Sequence, residues 1–408
     1  MIVRRNTSAL FSRRSPHGSG CAPLFVLLLV TVGVVLVGRH WIGQRLNQRG
    51  APDPAASLSD ALAAFDSGNL LSAVDYARQV IERDGADQAA YELLVRALIY
   101  RSYTDVGREL DRIRALEVSE EALAKMPRNR DILALQGYAL QAAGSAEEAG
   151  RIALRIVERE PDHVLSRIVL SLSYGARGIA SAALRAAETG LELARQQNRY
   201  QLEAHRAMAL AYGDLAKYQA ALEQLDKAVS FNGKLIPLHF EKALYALQVG
   251  DVDQATVSFY TIMALDEDNV KARARLCELS ERLQERAAAL RYCQEVTELA
   301  PIWADGWQEL GRLYFLEGDY EKALSAFGHC SRLQIESGVA IQDRQLDCWY
   351  LQGQSAEILG DCDSLKLVFL EFQGMAREAG LPQTWTYPLE GPPICAASHL
   401  KTGESAWP

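Results

Sequence analysis

The 408-residue sequence has few of the side chains from which active sites are built, and those it has are scattered. Its seven histidines, His17, His40, His163, His205, His239, His329 and His399, form no HExxH pair, and its seven cysteines form no C-x-x-C or C-x-x-H. Metal sites use such spacings because one turn must bring two donors to one ion, so no dedicated metal site is expected. No G-x-x-x-x-G-K-[ST], G-x-G-x-x-G or G-x-S-x-G occurs, which leaves out the usual phosphate cradle, dinucleotide turn and nucleophile elbow. The 29 residues after Ala379 are too few for a catalytic domain. No cofactor is expected.

Acidic residues are missing from the first 50 positions, which hold seven arginines. The other 358 residues carry 36 Lys and Arg against 52 Asp and Glu, an excess of sixteen negative charges. Such a body repels phosphate backbones, and no basic stripe with interleaved aromatics offsets it, so nucleic acid is not an expected partner.

Long hydrophobic runs are also scarce. The one present is "CAPLFVLLLVTVGVVLVG", Cys21 to Gly38, 18 residues without a charge. At about 1.5 Å per residue it spans roughly 27 Å, close to the ~30 Å core of a bilayer. A cleaved secretory signal is the competing reading, because Leu24 to Val37 fits a signal's hydrophobic region. No small-x-small cleavage site follows, and the run leads into Arg39-His40-Trp41, so an uncleaved single-pass anchor in the cell membrane is expected. Cys21 precedes the run and so does not fit a lipoprotein cysteine. Four arginines before the run against three after it favour an N-terminus inside and an extracytoplasmic body. The chain then divides into a basic segment (1–20), the anchor (21–43), a Pro- and Ala-rich linker (44–57), a repetitive body (54–379) and a tail (380–408). The tail's prolines and aromatics predict an extended path over the last repeats.

The body has an internal period. Small residues that follow turn-like stretches fall at Ala149, Ala183, Ala221, Ala255, Ala289 and Ala323, spaced by 34, 38, 34, 34 and 34 residues, with Ala73 in the same role further upstream. The clearest copy is "WQELGRLYFLEGDYEKALSAF", Trp307 to Phe327. Trp349, Gly353, Gly360 and Phe369 repeat Trp307, Gly311, Gly318 and Phe327. A small residue on each helix allows close backbone approach, large residues fill the flanks, and glycine ends the first helix. Neither helix buries its face alone, so such units must stack.

On these residues the sequence resembles the tetratricopeptide repeat family. Trp307, Leu310, Gly311 and Tyr314 match its first helix, Gly318-Asp319-Tyr320 its turn, and Ala323 and Phe327 its second helix. Pro127, Pro161 and Pro301 fall near expected unit ends. The resemblance implies an all-α fold, a right-handed superhelical solenoid of antiparallel helix pairs in about nine units, preceded by one transmembrane helix. His205 and His239 share one position of adjacent units and read as core substitutes for an aromatic. The second unit is stretched between Tyr100 and Pro127, and eight residues are added between Leu333 and Gln345. Lengthened helix pairs are expected there, with surface loops as the alternative. Leu365 replaces the second-helix alanine of the last unit, which predicts looser packing or a cap.

In that family first helices line a concave groove. The resemblance implies a partner-binding groove of Tyr138, Ile168, Leu172, Arg206, Leu210, Phe240, Leu244, Gln308 and Arg312. Apolar in the middle and flanked by arginine, it suits a helix or an extended segment of a protein partner. The alternative is that Ile168, Leu172 and Leu244 pack between neighbouring helices. The lysines and asparagines with which some members grip a C-terminal carboxylate are absent from these positions.

Six cysteines lie between 277 and 395. Cys277 and Cys293 fall on helices of one unit, Cys330 and Cys348 at the junction of two, and Cys362 and Cys395 are placed to tie the tail to the last unit. An exported body would allow three bridges, among fifteen possible pairings. The simpler reading, taken here, keeps Cys277, Cys293 and Cys330 as free thiols that serve as small apolar residues.

The expected function is a membrane-anchored scaffold or adaptor for protein–protein interaction, in envelope or membrane-complex assembly. The alternative is a secreted or anchored enzyme with an active site in the groove, for which Glu278 and Glu281 are the available acids. On a helix these two read more simply as a solvated face.

Overall fold

Glycine followed by aspartate makes the turn inside several helix pairs. Gly250, Gly318 and Gly360 end their helices with φ of 81°, 80° and 72°, the left-handed region that glycine enters without strain. Asp251, Asp319 and Asp361 follow, and each side chain accepts from a backbone N–H three residues on, satisfying a donor that the first helical turn leaves open. Elsewhere Ser57, Asn69, Asp87, Asn129 and Asn269 cap their helices in the same way.

A computed structural model describes residues 56–380, 385–387 and 392–395. The expected basic segment, the anchor and the linker up to residue 55 lie outside the described residues. Among the described residues there are eighteen α-helices, one 3-10 turn and no strand. None of these helices is long and apolar enough to cross a membrane.

The helices follow one another in pairs. The first four are α1 (Leu58–Asp66) with α2 (Leu70–Arg83), α3 (Gln88–Arg101) with α4 (Leu110–Lys125), α5 (Arg130–Ala142) with α6 (Ala146–Val157), and α7 (Val164–Ala176) with α8 (Ala180–Gln197). Then come α9 (Gln201–Asp214) with α10 (Tyr218–Phe231), α11 (Ile236–Val249) with α12 (Val252–Leu265), and α13 (Val270–Arg282) with α14 (Arg286–Leu299). The last two are α15 (Ala304–Glu317) with α16 (Tyr320–Glu336), and α17 (Asp347–Leu359) with α18 (Cys362–Glu378).

The repeated small residues sit where helices meet. Ala73, Ala149, Ala183, Ala221, Ala255, Ala289 and Ala323 are all fully buried. At Gly311 a Cβ would stand 2.9 Å from the Phe327 ring, so the absent side chain is what lets α15 and α16 close on that phenyl group. One continuous apolar core runs from Ala61 to Phe327, and a second cluster fills the last pair and the tail.

The two irregular stretches each combine the expected devices. In the second pair the extra residues form a loop, 102–109, before a 16-residue α4. In the eighth pair α16 runs on to Glu336, and a loop with a 3-10 turn at Ile341–Asp343 precedes α17. Leu365 is fully buried in the last pair, and Trp385 and Cys395 of the tail pack in the same cluster. Trp385 meets Tyr350, Phe369 and Phe372 edge-on at 5.5, 5.1 and 5.3 Å. The Tyr387 hydroxyl donates to Glu357 at 2.5 Å.

The array winds back on itself. The Phe65 carbonyl accepts from Asn232 Nδ2 at 3.1 Å, across 167 residues of chain. Arg96 of α3 pairs with Glu203 of α9 at 2.7 Å, so first helices of the second and fifth pairs face each other across the inside of the winding. Loop 102–109 reaches the start of α13, in the seventh pair.

Candidate partner-binding groove

Two adjoining cavities open on this inner side. The larger, of about 340 Å³, lies between loop 102–109, the start of α4, α13 and the first turns of α15. Tyr103, Asp105, Ala274, Glu278, Trp303 and Gln308 are among its lining residues. Five carboxylates, Asp105, Glu109, Glu278, Asp305 and Glu309, face three cations, Arg112, Lys271 and Arg275.

Most of these charges are already held. Asp105 accepts from the backbone N–H groups of Val270 at 3.3 Å and Lys271 at 2.8 Å. Glu278 pairs with Arg275 at 2.7 Å, and Asp305 accepts from Gln345 Nε2 at 2.8 Å. Glu309 pairs with Arg312 at 2.7 Å, and Arg312 also binds Glu281. Hydrogen bonding from Arg312 holds the Glu281 carboxyl below its ordinary range, and the same contacts raise Arg312. Burial lowers the Lys271 ammonium, whose Nζ donates to the Tyr103 carbonyl at 3.1 Å and lies 4.5 Å above the Phe240 ring.

The smaller cavity, of about 220 Å³, brings together five of the nine expected groove residues: Tyr138, Leu172, Arg206, Leu210 and Phe240. Arg206 is not a free flank. It grips Glu241 through two nitrogens, at 2.6 and 2.8 Å, and its guanidinium lies 5.7 and 5.6 Å from the rings of Tyr100 and Tyr103. Tyr138 and Ile168 are about 1% exposed and Leu172 is 8% exposed, so they pack within the winding, whereas Leu244 is 53% exposed. Gln308 belongs to the larger cavity, and Arg312 lies beside it through its bond to Glu309.

Both acids offered for an enzyme pair with arginines, Glu278 with Arg275 and Glu281 with Arg312. Among the described residues no cluster of three or more His, Cys, Asp or Glu is arranged to hold a metal ion. His205 and His239 are buried, and burial lowers both below the ordinary imidazole range. They act in the core, bonded to Gln224 and to the Gly233 carbonyl at 2.9 Å each.

The six cysteines between 277 and 395 are bonded, which corrects the reading of Cys277, Cys293 and Cys330 as free thiols. Cys277–Cys293 joins α13 to α14, Cys330–Cys348 joins α16 to α17, and Cys362–Cys395 joins α18 to the tail. Their Cα separations of 5.5, 6.0 and 5.7 Å are those at which a bridge needs no backbone movement. Paired thiols at helix contacts satisfy the same demand for small apolar volume, so burial alone did not separate the two readings. Sequence reasoning missed loop 102–109, Asn269, Lys271 and Trp303 as parts of the site. The stretched second unit was the only signal for the loop.

Residues 304–334 match the sequence profile of the tetratricopeptide repeat. No curated protein matches the sequence. Among solved structures, a chain of the APC/C hetero-tetramer Cut9-Hcn1 is similar, with a TM-score of 0.50, 16% identity and coverage of 75% of this chain and 56% of that one. This chain thus spans little more than half of that one's length. The C-terminal part of a TPR repeat-containing protein from Cytophaga hutchinsonii gives a TM-score of 0.48 at 12% identity, covering 59% of this chain and 94% of that one. YrrB, titled a TPR protein with an unusual peptide-binding site, gives 0.35 at 19% identity, covering 45% and 92%. The helix pairs stacked around residues 304–334 give the described residues an all-α solenoid fold similar to that built from tetratricopeptide repeats.

Proposed function

We propose that this protein is a membrane-anchored scaffold that gathers a protein partner in the larger inner cavity, within envelope or membrane-complex assembly. The observation that carries the reading is the cavity of about 340 Å³ lined by Ala274 and Gln308, on first helices of two successive units. Its size suits a few side chains of an extended or helical segment, with Trp303 as an apolar wall and the carboxylates as a polar rim. The charge-free run from Cys21 to Gly38 supports an anchor. Three disulfides support a body on the oxidising, extracytoplasmic side, since reducing compartments keep such thiols unpaired.

The test is quantitative affinity purification from detergent-solubilised membranes, comparing the intact chain with Ala274→Trp and Gln308→Trp. Both substitutions fill the cavity from half-buried positions, and helical circular dichroism checks that the helix pairs still form. Loss of one specific protein from both variants, followed by direct binding of that purified protein to the parent chain alone, is the expected result. Retention of every partner by both variants sinks the groove assignment.

A further inference from the structure

The array closes on itself through the rings of Tyr100 and Tyr103 against Arg206 and through a set of hydrogen bonds and ion pairs. Asn232 bonds the Phe65 carbonyl, Arg96 bonds Glu203, and Arg199 bonds Glu92 at 3.2 Å. At the far end the Thr104 carbonyl accepts from Asn269 Nδ2 at 2.9 Å and the Tyr103 carbonyl from Lys271 Nζ. Neighbouring pairs, in contrast, share a continuous apolar core. Water replaces a hydrogen bond at small net loss, whereas parting two apolar faces means hydrating both. Loop 102–109, fastened to the start of α13 by such polar contacts, is therefore easier to release than one helix pair is to part from the next.

We propose that loop 102–109 is a latch: docked, it holds the second helix pair against the seventh and completes the wall of the larger cavity, and released, it opens the array and dismantles that wall. Asp105 is the residue that fastens it. The first turn of α13 presents N–H groups with no carbonyl partner of their own, and the Asp105 carboxylate takes those of Val270 and Lys271. It also places a negative charge at the positive end of the helix dipole. Asn269 aligns the two sides. It is fully buried, its Oδ1 accepts from the Ala272 N–H at 2.9 Å, and its Nδ2 holds the Thr104 carbonyl. Thus one side chain caps α13 and grips the loop at once. The effect on partner access rests on the proposed scaffold function; the latch itself does not, and its test needs no partner.

The test is residue-resolved hydrogen exchange on the full chain in detergent micelles, with Asp105→Ala and Asp105→Asn. Amides with hydrogen-bond partners exchange only after opening, so the Val270 and Lys271 amides report the latch directly. Asp105→Ala is expected to speed exchange at these two amides and across 102–109 by roughly tenfold or more. The interior of α13 and the helical circular dichroism stay unchanged. Asp105→Asn, which keeps one acceptor oxygen, falls between. Unchanged exchange at Val270 and Lys271 in Asp105→Ala overturns the proposal. Loss of helical signal in both variants also overturns it, because Asp105 would then belong to the core of the array.

Discussion

The indole of Trp385 occupies the space that Gly353 leaves by having no side chain: a Cβ built on Gly353 would stand 2.1 Å from the ring. Trp385 thereby seats the described part of the tail on the last pair, with Tyr387 bonded to Glu357 beside it, and the Cys362–Cys395 bridge ties the same part to α18.

Gly353→Ala and Trp385→Ala should break the same contact. Truncating a buried tryptophan typically costs about 3–5 kcal/mol, and the added methyl group expels the same ring. The double variant should lose no more than the worse single one, because the two changes share one interaction. Thermal unfolding with tryptophan emission checks this, and additive losses would show that the tail docks independently of the pair.

Arg101 and Asp111 form a buried ion pair with two bonds, at 2.7 and 2.9 Å, where α3 hands over to α4. Burial works against the Asp111 charge, but the arginine hydrogen bonds outweigh it and lower its pKa. Asp111→Ala leaves Arg101 unpaired and should cost about 3–5 kcal/mol, while Asp111→Ala combined with Arg101→Met should recover much of it. Equal stability of the single and double variants would refute this.

Stability should fall on mild acidification. Burial lowers His205 and His239 in the folded state, so below the unfolded value of about 6.5 the unfolded chain binds protons that the folded chain refuses. The loss therefore develops as pH drops through about 6.5 toward the lowered folded values. Asp131 behaves differently. The His163 ring, 3.4 Å from its carboxylate, and the hydrogen bond from Gln88 push it to about 2, so its contribution is complete above the unfolded value of about 3.9 and is lost only as pH falls toward 2. Urea midpoints across pH 7.5 to 5 should decline, and His205→Gln with His239→Gln should flatten that decline. A slope that persists in the double variant would assign it to other groups.

Six of the seven cysteines should resist alkylation in the unfolded, unreduced protein, and reduction should release them. The bridges close chain segments of 16, 18 and 33 residues, worth about 3 kcal/mol each in the chain-entropy account. Reduction should lower the unfolding midpoint of residues 270–395 more than that of the first six pairs. Intact-mass counting of alkyl groups decides it; labelling of all seven sites without reductant would contradict the bonding.

Much of the fold was legible because the repeat writes its local chemistry in full. The 34-residue spacing of Ala255, Ala289 and Ala323 marks where helices touch, and the Gly-Asp steps at 250, 318 and 360 mark where one helix stops and the next is capped. The groove was less legible. Position within a unit put Tyr138, Ile168 and Leu244 in one class, yet the first two are buried and the third is exposed.

What the sequence by itself determined is nearest-neighbour structure: an all-α chain of paired helices whose small residues and turns are set by contacts a few residues or one unit away. What only the tertiary structure decided is which inner positions stay open. That depends on contacts across more than 100 residues, such as Arg96 with Glu203 and Asp105 with Lys271, made where small rotations between units bring distant pairs together. A repeat code carries no term for such meetings. They are written in single departures from the pattern, the loop at 102–109 above all, and a departure acquires meaning only when the winding shows what it touches.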